Sequence, residues 1–191
     1  MSALAEEYRR RLTEPSDIRD HLEALHASVA RFSEPRVVEL GVRSGNSTAA
    51  FLAASEATGG HVWSVDVVQP TVPDWWATSS RWTLHIGSDL DPGIHAQLAE
   101  RPGRCEVLFI DTLHTFEHTL AELRAYVPMV RPGGVVLLHD TELEAPPVLP
   151  PGTPRQPPFP VARALDRFCE ETESAWENRP GCYGLGVLEV K

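Results

Sequence analysis

Two carboxylates and an imidazole stand where they could do chemistry. Asp111 and Asp140 each follow an apolar run, Val107 to Ile110 and Val135 to Leu138, and His114 comes three residues after the first acid. An imidazole titrates near neutrality and can take a proton from an attacking hydroxyl. Two carboxylates at the ends of neighbouring strands could share Mg²⁺, a hard ion that prefers oxygen ligands, although two acids make a thin site. Upstream, Glu39-Leu-Gly41-Val42-Arg43-Ser44-Gly45-Asn46-Ser47-Thr48 sets glycines between an apolar run and a helical pattern. Glycine there lets backbone approach a ligand closely, and the N-terminus of the following helix offers unpaired N–H groups to a carboxylate or phosphate. The spacing is E-x-G-x-x-x-G, neither a dinucleotide fingerprint nor a P-loop. Asp66 ends the next apolar run, where a carboxylate can accept both hydroxyls of a ribose. Gly87-Ser88-Asp89 follows another, placing a hydroxyl and a carboxylate where an adenine amino group could be read. Together these residues describe an adenosine-bearing ligand whose other end carries a carboxylate instead of a pyrophosphate.

Such residues need alternating strands and helices to hold them. The spacing predicts helices over 2–12 and 16–32, the second capped by Ser16 and packing through Ile18, Leu22, Leu25 and Val29. Strands are expected at Arg36 to Leu40, His61 to Val67, Trp82 to Ile86, Val107 to Ile110 and Val135 to Leu138, with helices at Ala49 to Ala57, Pro92 to Glu100, His114 to Val127 and Val161 to Thr172. Parallel pairing requires such crossovers. Ser174 to Arg179 and Cys182 to Val190, around Pro180-Gly181, read as a hairpin. The expected fold is α/β and Rossmann-like: a doubly wound, seven-stranded sheet, mostly parallel, with an antiparallel C-terminal hairpin. One domain spans 1–191, with a helical segment at 1–35 and the cofactor-binding sheet at 36–190. Between Pro146 and Pro160 lie eight of the chain's 17 prolines, so neither helix nor central strand can form there. That loop is either a stiff surface connection or a wall over the ligand crevice.

Composition narrows the partners. The chain has 191 residues, 17 Lys+Arg against 27 Asp+Glu and a net charge of -10, which opposes binding to a phosphate backbone. Cys105, Cys169 and Cys182 are odd in number and show no C-x-x-C spacing, fitting a reduced protein. The N-terminus has no apolar stretch of signal-peptide length, and no run approaches the roughly 20 apolar residues of a membrane span. A soluble, cytoplasmic protein with no nucleic-acid or membrane partner is expected.

The three segments together resemble class I S-adenosylmethionine-dependent methyltransferases: Glu39 to Gly45 as the first motif, Asp66 as the ribose acid, Gly87-Ser88-Asp89 as the adenine segment. Phe109-Ile-Asp111-Thr-Leu-His114 and Arg131-Pro-Gly-Gly-Val-Val-Leu-Leu-His-Asp140-Thr141 look like a bacterial small-molecule branch, related to macrocin-type sugar O-methyltransferases and cephalosporin-hydroxylase-like proteins. The resemblance implies S-adenosylmethionine held by Glu39, Gly41, Val42, Ser44, Gly45, Ser47, Asp66, Val67, Gly87, Ser88, Asp89 and Asp111. Glu39 would orient the turn rather than touch the sulfonium. His114 would be the base beside Asp111 at the methyl-transfer crevice, and a small molecule the acceptor, methylated on oxygen in bacterial secondary metabolism. The branch's usual Asp-Gly-Asp-His has Leu113 at its third position here, which motivates an alternative: a protein that holds the cofactor without methylating. A nicotinamide-dependent oxidoreductase is a third reading of the same sheet. Asp111 and Asp140 are the metal candidates, with Mg²⁺ dependence the less favoured case, and the N-terminal helices could form a homodimer face.

Other residues are read as structural. His114-Thr-Phe-Glu117-His118 matches the H-x-x-E-H zinc-protease pattern but falls in a strand-to-helix turn, so His118 is expected to cap or solvate the helix. His139 is read as a strand-end residue, Cys105 as unactivated, Arg9 to Arg11 as a solvated helix face, and Trp75 and Trp76 as either packing or a substrate cover.

Overall fold

A computed structural model describes residues 2–146 and 149–191. Seven strands form one sheet in the order β3-β2-β1-β4-β5-β7-β6: β1 (Arg36–Leu40), β2 (His61–Asp66), β3 (Trp82–Ile86), β4 (Cys105–Ile110), β5 (Val130–His139), β6 (Trp176–Arg179) and β7 (Leu185–Glu189). The first five pair in parallel, and β7 runs antiparallel to both β5 and β6. The helices are α1 (Ala3–Thr13), α2 (Leu22–Ala30), α3 (Asn46–Thr58), α4 (Pro92–Glu100), α5 (Phe116–Tyr126) and α6 (Pro160–Thr172). The expected doubly wound α/β sheet with its C-terminal hairpin is therefore the observed one.

Side-chain alternation along the central strands sorts the core onto two faces. Val38, Leu40, Leu108, Ile110, Val136 and Leu138 pack with the apolar sides of α4, α5 and α6. Val37, Val107, Phe109, Val135 and Leu137 pack with α2 and α3, through Leu22, Leu25, Phe51 and Leu52. Helix α3 is buried at every position from Ser47 to Ser55, which its small residues permit by letting it lie close to the sheet. From β1 the chain winds outward through β2 and β3, then returns to place β4 and β5 on the other side. The carboxyl ends of β1 and β4 thus flank the switch point, where open α/β sheets form their ligand crevice.

Two local expectations change, and an open one closes. The second helix does not begin at Ser16: a 3-10 turn over Arg19–His21 precedes α2, and the Ser16 hydroxyl is buried without a partner instead of capping. Its apolar positions Ile18, Leu22, Leu25 and Val29 are nevertheless all buried. Helix α5 begins at Phe116 with Thr115 as its cap, so His114 lies outside it, at φ 56°. His114 and His118 therefore do not share a helix face, and the zinc-protease pattern has no structural counterpart. Trp76 is wholly buried against Trp82, a packing residue, while Trp75 is exposed. In the proline-rich segment Pro147 and Val148 lie outside the described residues. Gln156 joins this segment to α5: its Oε1 accepts from the Phe116 N–H at 2.8 Å, and its amide donates to Glu117 at 3.1 Å.

Candidate active site

The carboxyl ends of the parallel strands open onto a cavity of about 460 Å³. The turn after β1 forms one wall, and glycine is required in it twice. A side chain on Gly41 (φ 90°) would meet the Asp111 carbonyl oxygen at 1.9 Å, and one on Gly45 (φ 76°) would meet Trp76 and Val72 at 2.7 Å. Asp66 fixes the turn. Its Oδ2 accepts the N–H groups of Val42 and Arg43, both at 2.9 Å, and its Oδ1 accepts that of Val68 at 3.0 Å. Behind the turn, Glu39 is fully buried and accepts hydroxyl hydrogens from Ser47 (2.7 Å), Thr48 (2.9 Å) and Ser64 (2.6 Å), fastening α3 and β2 to β1.

At the β4–β5 side of the cavity four titratable residues converge. His114 Nε2 lies 2.9 Å from Asp111 Oδ1 and 3.0 Å from Asp140 Oδ2, bridging the two carboxylates. His139 Nδ1 lies 3.1 Å from the same Asp140 oxygen and 3.5 Å from Asp111 Oδ1, and its Nε2 lies 2.7 Å from the Cys182 carbonyl oxygen. Toward β3, His118 Nε2 contacts Asp89 Oδ2 at 2.9 Å. A glycine turn, an acid at the end of β2, a serine-acid pair after β3 and a histidine-carboxylate cluster after β4 thus share one crevice.

A family profile described as a methyltransferase domain matches residues 38–141, from β1 to just past β5. The chain belongs to this family. Demethylmacrocin O-methyltransferase of Streptomyces fradiae is 36% identical over 64 residues, a match covering 34% of this chain but only 16% of that protein. Among solved structures, MycE methyltransferase of the mycinamycin biosynthetic pathway, in complex with Mg, SAH and mycinamycin VI, superposes at TM-score 0.66 with 17% identity, over 99% of this chain and 53% of that one. An O-methyltransferase from Bacillus cereus in complex with SAH gives 0.65 and 17%, over 100% and 92%. The O-methyltransferase NovP gives 0.64 and 16%, over 91% and 80%. At these identities the structural likeness establishes the fold.

The crevice of this methyltransferase domain gathers most of the residues singled out from sequence. Gly41, Val42, Asp66, Val67, Gly87, Ser88, Asp89, Asp111, His114 and Asp140 all line it. Glu39, Ser44, Gly45 and Ser47 do not. Ser44 turns its carbonyl to Arg11, Gly45 packs on Trp76, and Ser47 serves Glu39, so these four act on the crevice through the shape of the turn. Two further residues belong to the site. His118 faces Asp89 from α5 rather than capping or solvating that helix, and His139 joins the carboxylate cluster rather than ending a strand passively. Strand alternation would send His139 and Asp140 to opposite faces. The left-handed conformation of Asp140, φ 65°, turns its side chain back beside that of His139.

The cluster sets its own electrostatics. Burial disfavours an imidazolium at His114, but the Asp111 and Asp140 carboxylates outweigh it and raise the group to about 9. The same contest raises His139 to about 11. Burial would push Asp111 and Asp140 upward, yet the two imidazoles hold both below the usual carboxylate range. In this methyltransferase domain the acids at the crevice are thus neutralised by protons that imidazoles carry.

Proposed function

We propose that the chain is an S-adenosylmethionine-dependent methyltransferase that transfers a methyl group to a hydroxyl of a small molecule in bacterial secondary metabolism. One observation carries the reading: a single crevice runs from the glycine turn, Asp66 and Asp89 to the Asp111–His114–Asp140 cluster. The first part suits an adenosine with an amino-acid tail, and the second suits activation of an oxygen nucleophile. Similarity to a demethylmacrocin O-methyltransferase and to the O-methyltransferase NovP supports a hydroxyl acceptor. The net charge of -10 favours a neutral or cationic acceptor over nucleic acid, and no described helix is long and apolar enough to cross a membrane. A cytoplasmic setting accords with the unpaired cysteines.

The chemistry asked of these residues is modest. The acceptor O–H gives its proton to His114, the oxygen attacks the sulfonium methyl carbon, the S–CH₃ bond breaks, and the sulfonium becomes a neutral thioether. Most of the acceleration then comes from alignment and from removal of that proton. His114 can accept it only as neutral imidazole, so the proton it holds between Asp111 and Asp140 must leave first. Leu113 replaces an acid of the branch motif, but Asp111, His114 and Asp140 meet without it, so nothing in the crevice favours a non-methylating role.

The donor set also fits a divalent cation. A carbonyl can only accept, so His139 Nε2 carries hydrogen toward Cys182 and leaves Nδ1 facing Asp111 and Asp140. Opposite two carboxylates, that nitrogen must hold a proton or ligate a cation. Asp111, His139 and Asp140 present one donor atom each within 4.8 Å of one another. A bound divalent ion would take up the carboxylate charge and lower the pKa of an acceptor hydroxyl beside it.

Calorimetry with S-adenosylhomocysteine tests the reading directly. The wild-type chain should bind it, and Asp66→Ala should weaken binding by about 10–100-fold, the worth of charge-assisted hydrogen bonds. Absence of binding by the wild type would sink the proposal. Formation of S-adenosylhomocysteine from S-adenosylmethionine only when a hydroxylated acceptor is supplied would establish transfer.

A further inference from the structure

Glu122 is the least accounted-for acid in the molecule. It lies on α5 with its side chain 0% exposed. Oε1 accepts from the Thr112 hydroxyl at 2.7 Å and lies 3.7 Å from His118 Nε2. Oε2 has no hydrogen-bond donor. The carboxylate of Asp89, itself only 4% exposed, places an oxygen within 4.8 Å of one of Glu122. Two buried carboxyl groups meet only if a proton or a cation lies between them. His118 approaches Asp89 from the same helix, with Nε2 2.9 Å from Oδ2, and the Tyr126 hydroxyl holds the Asp89 backbone carbonyl. Asp89 is therefore held from α5 by Tyr126, which also belongs to the core, and by His118 and Glu122, which do not, while it lines the crevice.

We propose that Glu122 and His118 are positioning residues for Asp89: neutral Glu122 and the His118 N–H both donate to its carboxylate and hold it as a fixed acceptor. That acceptor sets a preference for a purine bearing an exocyclic amino group over one bearing a carbonyl. The inference rests on the cofactor reading above, which puts the adenine beside Gly87-Ser88-Asp89. Charge supports the assignment of the proton. Burial and the neighbouring Asp89 push Glu122 well above the carboxylate range, whereas burial of Asp89 is outweighed by His118 and Glu122, which hold it low. A carboxylate that only accepts cannot donate to a purine carbonyl, so hypoxanthine would leave it facing a second acceptor.

The test compares binding of S-adenosylhomocysteine and S-inosylhomocysteine to the full chain by calorimetry. Wild type should prefer the adenosine ligand by about tenfold or more. Glu122→Gln keeps a neutral donor of the same shape and should hold that preference within about twofold. Glu122→Leu removes the donor and should shrink the preference by about tenfold, through weaker adenosine binding alone. His118→Phe, on a partly exposed side chain, should shift it the same way if the leucine variant does not fold. Equal losses in Glu122→Gln and Glu122→Leu would overturn the proposal, as would parallel weakening of both ligands, which marks a merely structural role. Stoichiometric Zn²⁺ that survives Asp111→Asn/Asp140→Asn and is lost in Glu122→Gln would also overturn it, by putting an ion where the proton is assigned. If wild type binds neither ligand the cofactor reading fails first, whereas an unchanged preference in Glu122→Leu defeats this inference alone.

Discussion

Strand β4 starts and finishes beside an acid, and the two are neutralised in opposite ways. At its beginning Glu106, 6% exposed, accepts the Arg36 backbone N–H at 2.6 Å and pairs with the Arg36 and Arg131 guanidinium groups, each at 2.9 Å. Burial would raise its pKa, but Arg36 more than compensates and holds it below the usual range. Just past the other end, the Asp111 carboxylate is paired, among the described residues, with imidazoles, His114 at 2.9 Å and His139 at 3.5 Å. Guanidinium does not give up its proton in water, so the charge at Glu106 is locked. Imidazole does, so the charge at Asp111 can be exchanged for another cation or for a proton on a substrate. One strand thus carries an acid with a locked charge at its amino end and is followed by one with an exchangeable charge at its carboxyl end, where the topology opens a crevice.

That contrast is broken most severely at the exchangeable end. His114→Ala should lower turnover by about 10²–10⁴-fold, the usual worth of a positioned base, while S-adenosylhomocysteine affinity stays close to wild type. Asp111→Asn should lose turnover comparably, with a change in cofactor affinity as well, since the family resemblance assigns a cofactor contact to Asp111 and only a base role to His114. Single-turnover rates with saturating cofactor separate the two effects. A His114→Ala enzyme that keeps near-normal turnover would remove the histidine from the chemistry and leave the cluster a structural one.

The locked end predicts the reverse pattern. Glu106→Ala leaves two guanidinium groups and the Arg36 N–H without their acceptor, and should cost about 2 kcal/mol of stability, because the arginines remain partly hydrated. For a chain of this size that is a fall in Tm of about 4–8 °C. Cofactor affinity should be unchanged. A loss of binding at constant Tm would show that the two ends of β4 are coupled and that the division of labour is wrong.

Much of this arrangement is legible in the sequence, and the illegible parts have physical causes. The strands stand out because buried, β-branched runs such as Val135 to Leu138 have few alternatives, and the E-x-G-x-x-x-G turn stands out because only glycine fits against Asp111 and Trp76. Asp66, Asp89, Asp111 and Asp140 are found because each follows a strand. His139, His118 and Glu122 are hidden for a different reason. Periodicity assigns a residue to a face, whereas His139 joins the site through the left-handed turn at Asp140, and Glu122 reads as one more acid on a helix until Asp89 is seen opposite it. Ser44, Gly45 and Ser47 mark the turn correctly by their spacing but lie outside the crevice lining: the Ser44 carbonyl accepts from Arg11, the Gly45 backbone lies against Trp76, and the Ser47 hydroxyl donates to Glu39.

Glu39, next door on β1, shows what an acid does with neither kind of partner. Among the described residues no guanidinium or imidazole donates to it, and its donors are three hydroxyls. Burial raises it to about 7, with Ser64, Ser47 and Thr48 pulling the other way, so the acid holds its own proton far above the ordinary carboxylate value of 4.5. A raised folded-state pKa contributes stability that is fully present below the unfolded value and is lost as pH rises through the folded one. Wild type should therefore lose stability relative to Glu39→Gln between pH 4.5 and 7, by at most about 1.4 kcal/mol per pH unit, and track it in parallel above that window. Urea unfolding of both proteins at about pH 5, 6, 7 and 8 isolates this group, since every other titration cancels in the difference. Parallel curves from pH 5 upward would mean that the three hydroxyls alone stabilise the ionised form, so that hydrogen bonding can neutralise a buried acid here as well as arginine does at Glu106.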